Sequence, residues 1–186
     1  MFPSLSQYGR EGFYFCRKIN DAMNGIVKMR DVKFDKDLFI NFRTRTILDN
    51  LLCSYQGLPK GVNYMIIGDP GVGKTTIILD MLANIRKAHP SARILFISAE
   101  MNEIDLAIYV ERFPKFGDLD ILFIEGGFDE CGHSWQTVAD TLDDGWDIVA
   151  IDSFHELQGI VKEEENVTNK RAESMLLSLI KQHNKA

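Results

Sequence analysis

Long apolar runs, paired cysteines and net positive charge are all missing from this chain, and each absence removes a class of answer. No apolar stretch approaches the roughly eighteen residues that a membrane-crossing helix requires, so no membrane span is expected. The opening MFPSLSQYGREGFYF lacks a basic start followed by an apolar block. It therefore reads as no secretory signal, and a cytoplasmic setting is expected. The three cysteines, Cys16, Cys53 and Cys131, are odd in number and widely spaced, with no C-x-x-C pair. That excludes a four-cysteine zinc module and favours buried free thiols. Cys131 with His133 supplies only half of a metal site. The net charge is -6, which excludes a protein that coats nucleic acid with its whole surface. Internal repeats and low-complexity tracts are also absent.

The charge that is present is unevenly distributed. Residues 1–45 carry nine lysines and arginines against five acids, a net +4, which leaves -10 for the remainder. A local basic arm is thus the one visible candidate for contact with nucleic acid, and a solvated basic face is the competing reading. At 186 residues the chain suits one domain with a short appendage. The expected division is a helical or extended arm over 1–45 and a core over 46–186.

Within the arm, apolar positions from Gln7 to about Val27 recur at steps of three and four and predict an amphipathic helix. Residues 30–45 predict a short strand or an extended arm. A helix over Thr46–Ser54 should place Ile47, Leu48, Leu51 and Leu52 on one side, and Gly57–Gly61 reads as a loop. From there strands and helices alternate. Strands are predicted at Val62–Ile67, Arg93–Ser98, Asp120–Ile124 and Asp147–Ile151. The intervening helices are predicted at Gly73–Ala88, carrying Ile77, Ile78, Met81, Leu82 and Ile85 inward, at Glu103–Phe113 and at Ser134–Leu142. After an acidic turn at Glu163–Glu165, one final helix carries Ala172, Met175, Leu176, Leu179 and Ile180. This succession predicts an α/β fold, a mainly parallel sheet covered by helices, with ligands at the carboxyl ends of the strands.

The stretch Gly68-Asp69-Pro70-Gly71-Val72-Gly73-Lys74-Thr75-Thr76 fits G-x-x-x-x-G-K-[ST] at every fixed position. Gly71 and Gly73 allow backbone conformations that turn N–H groups inward, and a helix begins where the loop ends. Phosphate oxygens suit such a cradle. The expected ligand is ATP with Mg2+, with Lys74 reaching the β and γ phosphates and the Thr75 hydroxyl joining the metal's coordination shell. A second metal ligand is expected at Asp152, where Ile148-Val149-Ala150-Ile151 ends in a carboxylate at the close of a buried strand. Many ATPases place a water-activating glutamate directly after that aspartate, but here Ser153 follows it. Two other strand ends offer a carboxylate, Glu100 and Glu125.

The combination GLPKG, GDPGVGKTT, ILFISAEM and DIVAIDSF resembles the RecA-fold ATPases of the RadA and DnaB type, over residues from about 46 onward. In that group a short S-x-E stretch at the end of the second core strand supplies the glutamate that acts on the attacking water. Ser98-Ala99-Glu100 matches it, so the resemblance implies Glu100 as the catalytic base and Glu125 as the runner-up. It also implies His155 as a polar reporter on phosphate or DNA, and a ring or filament in which a neighbouring copy completes each nucleotide site. The function so implied is ATP hydrolysis coupled to DNA recombination, repair or replication, with single-stranded DNA as the partner. A KaiC-like module that assembles on ATP without touching nucleic acid is the alternative, and a small-molecule kinase is disfavoured because no arginine-rich lid is evident. The sequence shows one helix beyond Asp152 and no further central strand, so a fragment or shortened relative is expected.

Overall fold

The computed structural model describes residues 28–31, 40–52, 56–124 and 134–184. The helix expected over Gln7–Val27, the three cysteines, His133 and Glu125 lie outside these residues. The chain divides into two units, Met1–Lys36 and Asp37–Ala186. Within the first, the described residues form a single exposed 3-10 turn at Met29–Asp31.

The second unit begins with a two-residue strand β1 (Asn41–Phe42), a short helix α1 (Leu48–Leu52) and a strand β2 (Leu58–Pro59) that pairs antiparallel with β1. The expected loop at Gly57–Gly61 thus contains a strand. Its register sets Asn41 opposite Pro59, so the proline, which has no N–H to donate, sits in a two-stranded ribbon where such a gap is tolerated. Helix α1 starts at Leu48, two residues later than expected, and Ile47 and Leu51 are 86% and 81% exposed. Of the four apolar residues expected on one side, Leu48 and Leu52 pack on the core.

The long helix α2 (Lys74–Ala88) follows the phosphate-loop stretch, and then β3 (Ile94–Ser98) is buried at all five positions. Helix α3 (Glu103–Arg112) starts with a capping box: the Asn102 side chain accepts from the Asp105 N–H while Asp105 accepts from the Asn102 N–H. A 3-10 turn at Pro114–Asp118 leads into β4 (Asp120–Phe123). Helix α4 (Ser134–Asp143), β5 (Ile148–Asp152), α5 (Phe154–Glu164) and α6 (Asn169–His183) complete the described chain. Two helices therefore follow Asp152 where one was expected, and the acidic run at Glu163–Glu165 is the end of α5 rather than a free turn.

β3 lies at the centre of a three-stranded parallel sheet in the order β4-β3-β5. Successive side chains of a strand point to opposite faces, and the two hydrophobic clusters follow that alternation. Ile94 and Phe96 join Leu79, Met81, Leu82, Ile85 and Phe116 on the α2 face. Leu95 and Ile97 join Val138, Leu142, Leu157, Val161, Ala172, Leu176 and Leu179 from α4, α5 and α6 on the other. Burial of each such side chain contributes on the order of 1.5–3 kcal/mol, which is why an unbroken apolar run forms the middle strand. The α/β fold with a parallel sheet flanked by helices is the one expected.

Two departures concern the segment before the phosphate loop and the helix after it. Val62–Ile67 forms no strand: its backbone is irregular and all six residues are exposed, Met65 at 70% and Ile67 at 85%. A strand is stabilised by a ladder partner, and among the described strand ladders none includes this stretch. In α2, Ile77 is 45% exposed whereas Leu79 is buried at 2%. The buried residues of α2 are Leu79, Met81, Leu82, Ala83 and Ile85, and Ile78 packs against the same core as expected.

Candidate active site at the carboxyl end of the sheet

Because the three strands are parallel, their carboxyl ends share one edge. The ladder sets Ser98 beside both Phe123 and Asp152. The Gly68–Thr76 loop comes to the same edge. Gly71 and Gly73 have φ of 77° and 91°, in the left-handed region that side chains other than glycine rarely adopt. A Cβ at either would meet nothing within 4 Å. These two glycines are required by backbone conformation, not by crowding.

α2 begins directly at Lys74, and no side chain caps it at Gly73. Its first-turn N–H donors are thereby left to the loop, with the positive end of the helix dipole behind them. The Lys74 ammonium donates to the Gly68 carbonyl at 2.9 Å and to the Asp69 carbonyl at 2.9 Å. The lysine thus closes the loop on itself through the carbonyls at its start.

The contact that joins the two halves of the site lies one residue further on. The Thr75 hydroxyl donates to Asp152 Oδ2 at 2.5 Å, across 77 residues of sequence. Asp152 is 6% exposed at the end of β5. Its backbone carbonyl accepts from the Ala99 N–H at 2.8 Å, which ties it to the turn that carries Glu100. The Asp152–Ser153 peptide is cis. Ser153 then caps α5, its hydroxyl accepting from the Glu156 N–H at 3.3 Å.

The expected residues sort as follows. Thr75 and Asp152 are in contact, Lys74 bonds the carbonyls at the start of its own loop, and Glu100 is exposed on the turn whose Ala99 N–H reaches the Asp152 carbonyl. His155 is exposed in the first turn of α5. Sequence reasoning missed Ser98, whose buried hydroxyl holds the Glu100 turn, and the capping role of Ser153. The second was readable in Ser153-Phe154-His155-Glu156, an S-x-x-E pattern at a helix start. Among the described residues no cluster of three or more His, Cys, Asp or Glu forms a metal cage. The Thr75 and Asp152 oxygens are nevertheless a hard-donor pair of the kind Mg2+ takes, since that ion keeps several waters and uses few protein ligands beside phosphates.

A glycine-rich loop opening a helix, a buried aspartate touching the threonine of that loop, and a parallel sheet behind both define a P-loop α/β protein. Residues 59–185 match the family model of the type IV secretion-system coupling protein DNA-binding domain. The chain belongs to that family, a group of P-loop ATPases with a link to DNA. This family replaces the RadA or DnaB branch as the supported assignment. No curated protein and no solved structure matches the chain. No helix among the described residues is long and apolar enough to cross a membrane.

Proposed function

We propose that this chain binds and hydrolyses ATP and couples that turnover to DNA, in the manner its family's name suggests, by handling DNA destined for secretion. The observation that carries the reading is the 2.5 Å contact between the Thr75 hydroxyl and Asp152. It brings the one hydroxyl that a phosphate loop offers a metal against the one buried carboxylate at the adjacent strand end. Lys74 exchanges the Gly68 and Asp69 carbonyls for phosphate oxygens. The N–H groups of the loop and of the α2 start hold the remaining phosphate charge.

Thr75 and Asp152 are the residues that would hold Mg2+, which when bound neutralises charge on the phosphate oxygens. Glu100, exposed on the turn that follows β3, orients and deprotonates the attacking water. The working form is a homo-oligomer, a ring or filament with a cytoplasmic ATPase face, and single-stranded DNA is the expected nucleic-acid partner. Recombination, repair or replication, as in RadA or DnaB, uses the same chemistry in another setting.

The test is ATP turnover with and without single-stranded DNA, for the unsubstituted chain and for Lys74→Ala. Single-stranded DNA should raise the rate and Lys74→Ala should abolish it. Turnover indifferent to DNA of any form, combined with ATP-dependent assembly, would replace this reading with the KaiC-like one.

A further inference from the structure

We infer that Ser98 is the positioning residue for Glu100, fixing where that carboxylate stands relative to the Thr75–Asp152 pair; the inference rests on reading Glu100 as the base of hydrolysis. Ser98 is fully buried, at 0% exposure, at the end of a strand whose other residues are Ile94, Leu95, Phe96 and Ile97. A hydroxyl in such a place is unfavourable unless it is hydrogen-bonded. Both of its bonding capacities go to one residue: Oγ donates to the Met101 carbonyl at 3.1 Å and accepts from the Met101 N–H at 3.3 Å.

The consequence is a staple across Ser98–Met101, with Glu100 inside it. On its other side the turn is anchored by the Ala99 N–H, which donates to the Asp152 carbonyl at 2.8 Å. Ala99 and Met101 are 1% and 8% exposed, whereas Glu100 is exposed. The turn therefore presents a single side chain outward, from a backbone fixed at one end to the carbonyl of Asp152 and at the other to the Ser98 hydroxyl of β3. An alanine would fill the same space in β3 without closing the turn. Misplacing a reacting group by about 1 Å is enough to lower a rate by about 100-fold.

The experiment measures ATP turnover by the full chain with single-stranded DNA for Ser98→Ala, Glu100→Gln, the two combined, and Ser98→Thr. Glu100→Gln should lower kcat by about 100-fold or more. Ser98→Ala should lower kcat by about 10-fold or more with KM for ATP and affinity for a fluorescent ATP analogue unchanged. The double variant should be no slower than Glu100→Gln alone, because Ser98 acts only through that carboxylate. Ser98→Thr, which keeps the hydroxyl, should restore most of the rate. If Ser98→Ala does not fold, Ser98→Cys against Ser98→Thr makes the same comparison of thiol with hydroxyl.

An unchanged kcat in Ser98→Ala or, where it serves instead, in Ser98→Cys would overturn the positioning role. So would a rise in KM at constant kcat, or a double variant slower than Glu100→Gln by the full Ser98→Ala factor, and each leaves Glu100's own role intact. An unsubstituted chain without turnover, or turnover that Glu100→Gln leaves untouched, would instead refute the reading of Glu100 and the positioning role with it.

Discussion

Asp49 offers a stability prediction in which pH gives the sign. Its carboxylate, 7% exposed at the start of α1, accepts from the Thr44 N–H at 2.7 Å, the Thr44 hydroxyl at 2.6 Å and the Arg45 N–H at 2.9 Å. Burial pushes its pKa up, but the hydrogen bonds from Thr44 and Arg45 and the charge of Arg43 outweigh it, so the pKa lies below the ordinary value. In Asp49→Asn the amide oxygen can keep the Thr44 bonds, which turns the amide NH2 toward the Arg45 N–H. Two donors then face each other, and the charge assistance on the remaining bonds is lost. Leaving one partner of a buried hydrogen bond unsatisfied costs about 1–3 kcal/mol, which corresponds to a fall in Tm of roughly 2–4 °C per kcal/mol for a chain of this size. Because the folded pKa is depressed, the stabilisation is complete above the unfolded value of about 3.9 and disappears as pH falls through the folded value. Urea unfolding of both proteins should therefore give a clear gap in midpoint at pH 7 that narrows as the pH is taken below the unfolded value. Equal midpoints at pH 7, or a gap that persists unchanged into acid, would refute the account.

Three further outcomes are expected. Asp152→Asn should remove Mg2+-dependent ATP turnover while a fluorescent ATP analogue still binds without metal, as titrations with and without Mg2+ would establish. Leu157→Ala, at a position with 0% exposure beneath the sheet, should destabilise by about 2–5 kcal/mol in urea unfolding. Glu164→Ala removes the carboxylate that accepts from the Ser134 and Trp135 N–H groups at the start of α4, at 3.2 and 3.3 Å. It should cost about 0.5–2 kcal/mol, read as a lower Tm with turnover unchanged.

What could be read in the sequence was whatever local pattern determines by itself. The apolar run at Arg93–Ser98 needs no knowledge of its neighbours to be read as a buried strand, and the spacing of Gly68, Gly73, Lys74 and Thr75 implies a loop before a helix. α5 was missed because its buried residues, Leu157 and Val161, are few among Glu156, Lys162, Glu163 and Glu164, so its apolar stripe is thin. Val62–Ile67 has a strand's composition, but strand formation is a property of two chains side by side and cannot be decided from one. The staple from Ser98 is invisible for a related reason: its partner, Met101, is brought back by a turn that no periodicity announces. The Thr75–Asp152 contact spans 77 residues and was accessible only through the chemistry both residues would serve.

Among the described residues β5 has a neighbour on one side only, and the apolar stretch Val62–Ile67 lies exposed before the phosphate loop. Backbone groups along such an edge pair readily with any extended chain they encounter. In a purified sample this surface competes with whatever assembly the nucleotide controls, and sizing alone would not separate sticky aggregates from a working ring. The useful signature is reversibility: a specific oligomer should form on adding ATP, dissolve on its removal and fail in Lys74→Ala, whereas edge association should grow with concentration and time in all three samples alike.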